Sequence, residues 1–185
     1  MGIKSLTIVL DDEGRDICVL SRSIDGYLTG HGDDLKRLLR GHVITRESRS
    51  KDHRKIAFSM GHLAVILIKD YRWGIGFFEL LPGGTRDQEA EYIYTVYPRH
   101  TASKIPSLLN LRIEALFPQY TGIDLPKDYT WTVIYDGLLD EFNPNEVQAQ
   151  WECIEDELDH LVDTEIALAE SATASSHLRA RTRGT

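Results

Sequence analysis

Long apolar runs, cysteine pairs and any Lys or Arg between Asp128 and Leu178 are what this sequence does without. Its longest apolar run, Leu63 to Ile68, falls far short of the roughly 18–20 residues needed to cross a bilayer. No membrane span is expected. The opening MGIKSLTIVLDDEG lacks the apolar length and small-residue cleavage site of a secretory signal, which points to the cytoplasm. The two cysteines, Cys18 and Cys153, sit far apart and read as two free, buried thiols in a reducing compartment. Seven histidines never fall at i, i+3 or i, i+4, and no HExxH or paired-cysteine pattern exists. Neither a metal nor any other cofactor is expected. There is no GxSxG elbow. Ser59 and His62 lie three apart on a helix with nothing to orient the histidine, so nucleophilic catalysis is not expected there.

What is present is an uneven charge layout. The net charge is −8, yet eight Lys or Arg lie between Lys36 and Lys55 against only Glu47 and Asp52. From Asp128 to Leu178 the order reverses: thirteen acids and no Lys or Arg. One region could attract anions and the other repel them. An overall negative charge argues against long contacts with a nucleic acid duplex, so nucleic acid is not the expected partner.

Local patterns give the elements. Residues 3 to 10 and 17 to 20 flank Asp11-Asp12-Glu13-Gly14 and read as a β-hairpin. A helix follows from Asp33 to Arg40, capped by its aspartates, with Leu35, Leu38 and Leu39 as its stripe and Gly41 as its stop. His42 to Lys55 has no periodicity and reads as an exposed loop. A second helix spans Ser59 to Tyr71, apolar on every side from Leu63 to Ile68 and hence well buried.

Phe77 to Leu81, a turn at Pro82 to Asp87, and the alternating run Glu91 to Tyr97 suggest a second hairpin. Strands at Leu108 to Phe117 and Trp131 to Tyr135 follow, although LLNLRIEALF also scans as helix. From Asn143 and Pro144, apolar residues recur at steps of four and three through Leu168, a long amphipathic helix. The order ββααββββα predicts an α+β fold. It would hold a mostly antiparallel sheet of two hairpins plus further strands, with helices on one face. The expected division is a core at 1–142, an acidic amphipathic helix at 143–170 and a disordered tail at 171–185.

The most concentrated chemistry lies in Ser23-Ile-Asp-Gly-Tyr-Leu-Thr-Gly-His-Gly32, which joins the hairpin to the first helix. Gly30 and Gly32 are read as cheap suppliers of positive φ. Asp33 and Asp34 would repel a phosphate at that helix start, so a phosphate cradle is disfavoured. A polar site is a better reading. Asp25, Tyr27 and His31 would face a ligand, and Arg46, Arg49, Arg54 and Lys55 would supply positive charge.

The run VLSRSIDGYLTGHGDDLKRLL resembles a family of uncharacterised small proteins from bacteria, phages and related viruses. Their mark is a hairpin followed by Arg-His-x-Asp-Gly-Tyr-Pro-x-Gly-x-Gly-x-x-Leu. GHLAVILI and EAEYIYTVY are similar to that family's second helix and following strand, so the likeness covers residues 3 to 97. The family's His is Ser23 here and its Pro is Leu28. The resemblance implies the fold and a viral or mobile-element origin, not a reaction.

The combined expectation is a phage-type protein that is not an enzyme and captures a small anionic or nucleotide-like ligand. Sequestering a host defence signal would fit that origin. Two alternatives remain open. One is a protein-interaction module, a homo-oligomer or a host-protein binder, acting through the acidic helix 144–170. The other is a small hydrolase with His31 as base and Asp25 as its orienter.

Overall fold

The structure is a computed structural model, and it describes residues 2–45, 55–71, 78–86, 89–99, 107–119, 128–157 and 160. Two compact units emerge. The first comprises Met1–Leu116 with Trp131–Gln148, and the second Phe117–Thr130 with Ala149–Thr185.

The first hairpin forms as its sequence predicts. β1 (Ser5–Leu10) pairs antiparallel with β2 (Asp16–Arg22), with Thr7 opposite Leu20 and a register shift between Val9 and Leu10. The turn is stapled by Asp11, whose carboxylate accepts from the backbone N–H groups of Glu13 and Arg15 and from the Arg15 side chain.

Then the chain passes through a π-helical turn, Leu28–Gly32, directly into α1 (Asp33–Leu39). The expected aspartate cap does not form: no side chain caps α1, and the N–H of Asp33 is bonded to carbonyls of Leu28 and Gly30 instead. Continuous helical backbone has already satisfied the donors that a cap would serve. α1 buries Leu35 and Leu39 completely, each worth about 2 kcal/mol, while Leu38 is only half-buried. It ends as predicted at Gly41, which has a φ of 76°.

His42 to Lys55 is not simply a loop. β3 (His42–Ile44) and β4 (Lys55–Ala57) pair in parallel, and His42, Val43 and Ala57 are buried. The missing periodicity reflects strands of three residues, too short to show an alternation. α2 (Met60–Tyr71) starts where Ser59 accepts from the N–H of His62, which gives that Ser-His pair a capping role. α2 packs on β1, β2 and β4. It is not buried all round: Leu63, Ala64, Leu67 and Tyr71 are inside, but Val65 is 62% exposed and Ile68 38%. The apolar run overstated burial because only one stripe of a helix can face a sheet.

The main sheet has six strands in the order β5-β2-β1-β6-β7-β8, with β5 (Phe78–Leu81), β6 (Tyr92–Pro98), β7 (Leu109–Gln119) and β8 (Asp128–Leu138). The ambiguous LLNLRIEALF is therefore strand. The expected second hairpin between β5 and β6 is absent. β5 instead pairs antiparallel with β2 at the sheet edge, and β6 crosses over to lie parallel to β1. Asp16 accounts for much of this. Its carboxylate accepts from the N–H of Gly84 at 2.6 Å and from both Arg86 terminal nitrogens, anchoring the post-β5 turn to β2.

Register places Thr7, Arg22, Phe78 and Tyr94 on one face of this sheet, the face that carries α1 and α2. Leu6, Ile8, Val19, Ala90 and Ile93 form a buried cluster on the other, with Trp131 packed against it. The mixed α+β content and the mostly antiparallel sheet thus match the sequence reading. Residues 144–157 are helical (α3), and in the second unit the ring of Trp151 meets Phe117 edge-on. The remainder of the predicted long helix and tail lies outside the described residues. Cys18 is buried, its thiol pushed up to about 11 by burial, but Cys153 is exposed, against expectation. No helix among the described residues is long and apolar enough to cross a membrane.

Candidate functional site

The joint between β2 and α1 is built from backbone proximity. Gly26 donates its N–H to the carbonyl of Ile3, and its own carbonyl accepts from the Tyr94 hydroxyl at 2.9 Å. A Cβ at Gly26 would stand 2.7 Å from the carbonyl carbon of Lys4 and 2.8 Å from the carbonyl oxygen of Ile3. Gly30 is likewise pressed against the Asp25 carbonyl and the Tyr27 ring. Neither Gly30 nor Gly32 has positive φ. That strain falls on Asp25, with φ 53°. These glycines are present for room rather than for a left-handed backbone, which corrects the sequence reading.

This bend buries His31 completely. Its ring lies 4.9 Å from that of Tyr94, edge-on, and within 6 Å of those of Tyr71 and Phe78. Arg22 Nη1 lies 3.0 Å from Nδ1, and Thr7 Oγ1 2.5 Å from Nε2. A guanidinium can only donate, so Nδ1 must accept and Nε2–H must donate to Thr7. The tautomer is fixed and the ring neutral. Burial first, then the Arg22 charge, pulls its pKa down to about 3.

Arg22 is 5% exposed and held through two of its three nitrogens. Nε donates to the carbonyl of Ile24, and Nη1 also donates to Asp34 Oδ2 at 2.8 Å. The guanidinium lies 5.4 Å from the centre of the Phe78 ring. Asp34 then passes the chain of contacts outward, its Oδ1 accepting from Arg37 at 2.6 Å.

Outside this cluster is a cavity of about 440 Å³ lined by Asp34, Arg37, Leu38, Lys55, Asp70, Tyr71 and Phe78. Three α1 residues at i, i+3 and i+4 form one wall. The C-terminal end of α2 supplies Asp70 and Tyr71, β5 supplies Phe78, and β4 supplies Lys55. Tyr71 and Phe78 stack with centroids 4.2 Å apart. The Tyr71 hydroxyl is buried and has no hydrogen-bond partner among the described residues. Burial, and secondarily the charge of Asp34, raises its pKa far above the ordinary phenol range, so it stays protonated. Lys55 is exposed and makes no ion pair with a described residue.

Of the seven residues singled out from sequence, Lys55 lines this cavity. His31 sits behind it, closed in by protein. Asp25 is exposed and contributes its backbone carbonyl, not its carboxylate, to the backbone N–H of His31. Tyr27 packs on Gly30. Arg46, Arg49 and Arg54 lie outside the described residues. The sequence reading missed Arg22, Asp70 and Tyr71, and took in Arg37 only as part of the basic stretch from Lys36 to Lys55. Only the helical spacing of Asp34, Arg37 and Leu38 could have flagged a shared face. No group of three or more His, Cys, Asp or Glu among the described residues is arranged to hold a metal. No family model, curated protein or solved structure matches the chain.

Proposed function

We propose that this protein binds a small anionic, nucleotide-like ligand without transforming it, in the cavity between α1, the end of α2, β4 and β5. The observation that carries the reading is the pairing of an accessible cationic rim, Arg37 and Lys55, with a wall of Leu38, Tyr71 and Phe78. A volume of about 440 Å³ falls within the roughly 300–1,000 Å³ of small-molecule sites. Asp34 subtracts little from the rim's positive charge, because the buried Arg22 already neutralises it, while Asp70 on the cavity wall offsets part of that charge.

Binding is favoured over hydrolysis by the state of His31. Both its nitrogens are engaged by protein groups, it is fully buried, and it resists protonation. A general base must reach the proton it takes.

A thermal-shift titration with adenosine 5′-monophosphate and with pyrophosphate tests the reading. At least one should raise the melting temperature of the wild type. The Arg37→Ala/Lys55→Ala double variant should melt near the wild-type temperature and lose that rise. A wild type indifferent to both anions, or a double variant that responds as the wild type does, would sink it.

A further inference from the structure

The cavity is not uniformly cationic. Its charges lie at the mouth, where Arg37 is 77% exposed and Lys55 and the carboxylate-bearing Asp70 are also exposed. Its floor has no spare charge. Asp34 there has Oδ2 committed to Arg22 and Oδ1 to Arg37. Beside that neutralised pair sits the Tyr71 side chain, only 8% exposed, with a hydroxyl that no described residue satisfies. A buried hydroxyl without a partner is costly, and an aqueous or ligand acceptor relieves it. A second phosphate pushed to this depth would find no free cation. A neutral carbonyl oxygen or ring nitrogen would find a donor, with Leu38 and Phe78 alongside to cover an apolar ring.

Resting on the ligand class argued above, we propose that the ligand is bipartite. Its anionic group is held at the mouth by Arg37 and Lys55, and a neutral hydrogen-bond acceptor on its heterocycle takes the Tyr71 hydroxyl at the floor. The class is then a nucleoside monophosphate or a similarly phosphorylated heterocycle, not an inorganic polyanion. Tyr71 is the residue that reads the heterocycle.

The experiment compares the four ribonucleoside 5′-monophosphates with ribose 5-phosphate on wild type and on Tyr71→Phe, by thermal shift and calorimetric titration of the full chain. In the wild type at least one nucleotide should bind more tightly than ribose 5-phosphate. Tyr71→Phe should weaken that nucleotide about tenfold while leaving ribose 5-phosphate unchanged. Without ligand, Tyr71→Phe should melt at or above the wild-type temperature, because it removes an unsatisfied group.

If ribose 5-phosphate binds the wild type as well as every nucleotide, anion capture stands and the bipartite ligand falls. The bipartite ligand falls equally if Tyr71→Phe keeps the nucleotide preference. It is overturned too if the unliganded variant melts well below wild type, since the hydroxyl would then have a structural partner. If none of the five compounds binds the wild type, the ligand class itself fails and this inference goes with it.

Discussion

Two neighbouring clusters in this protein use the same residue types for opposite ends. Behind α1, Thr7, Arg22, His31 and Asp34 form a closed chain of hydrogen bonds in which His31 and Arg22 are almost free of solvent. A few ångströms outward, Arg37, Lys55, Asp70 and Tyr71 surround a cavity with exposed charges and a spare hydroxyl. Asp34 belongs to both. What separates them is saturation. A buried polar group with every valence used fixes a conformation, whereas one with valence left over can receive something. The histidine that looked most like chemistry in the sequence belongs to the first kind. The tyrosine that drew no notice belongs to the second.

Asp34 allows that contrast to be broken by mutation, because one arginine reaches it from each side. Replacing the buried one, Arg22→Met, leaves His31 Nδ1 without a donor and Asp34 half-paired. A loss of about 3–5 kcal/mol is expected in urea denaturation. A loss below about 1 kcal/mol would mean that the inner cluster does not hold the fold.

Acid should act on the same cluster nearly as strongly. His31 is neutral when folded, with a pKa near 3, and about 6.5 when unfolded. Above pH 6.5 neither state takes the proton and the stabilisation is complete. As pH falls from 6.5 toward 3 the unfolded chain protonates first, so stability drops, by about 3 kcal/mol at pH 4. His42, whose pKa burial also lowers, adds to the trend. Denaturation midpoints across that range should be flatter in His31→Gln than in wild type. Equal slopes would show that His31 is not the titrating group.

The outer arginine should matter far less. Arg37→Ala removes an exposed i, i+3 ion pair, and about 0.5 kcal/mol or less is expected in the same denaturation assay. Lys55→Ala should change stability least, by no more than about 0.5 kcal/mol, yet lower the affinity for adenosine 5′-monophosphate severalfold by calorimetry. Should Lys55→Ala destabilise the fold as much as Arg22→Met does, the distinction between the two clusters would collapse.

Much of the scaffold for these clusters could be read locally. The β1–β2 hairpin, α1 with its stop at Gly41, α2 and the alternation of β6 all follow from period and turn chemistry within a few residues. Reading failed where the deciding partner was remote in sequence. Pro82 to Asp87 looks like a hairpin turn, but Asp16 holds that turn to β2. Gly30 and Gly32 looked like hinges. They are small because Tyr27 packs on Gly30, and Phe142 and Tyr94 on Gly32. His31 looked available until Thr7 and Arg22, from two different strands, closed on it.

The sequence by itself determined the longer helices and strands, though not the short β3 and β4 or the π-helical turn, because backbone preference and hydrophobic period act over one or two turns. It also determined that positive charge would gather early in the chain and negative charge late. The tertiary structure alone decided the sheet order, the burial of His31 and the walls of the cavity. Those depend on desolvation and on hydrogen bonds between residues tens of positions apart, and no local pattern records which polar group will find a partner and which will be left with a valence to spare.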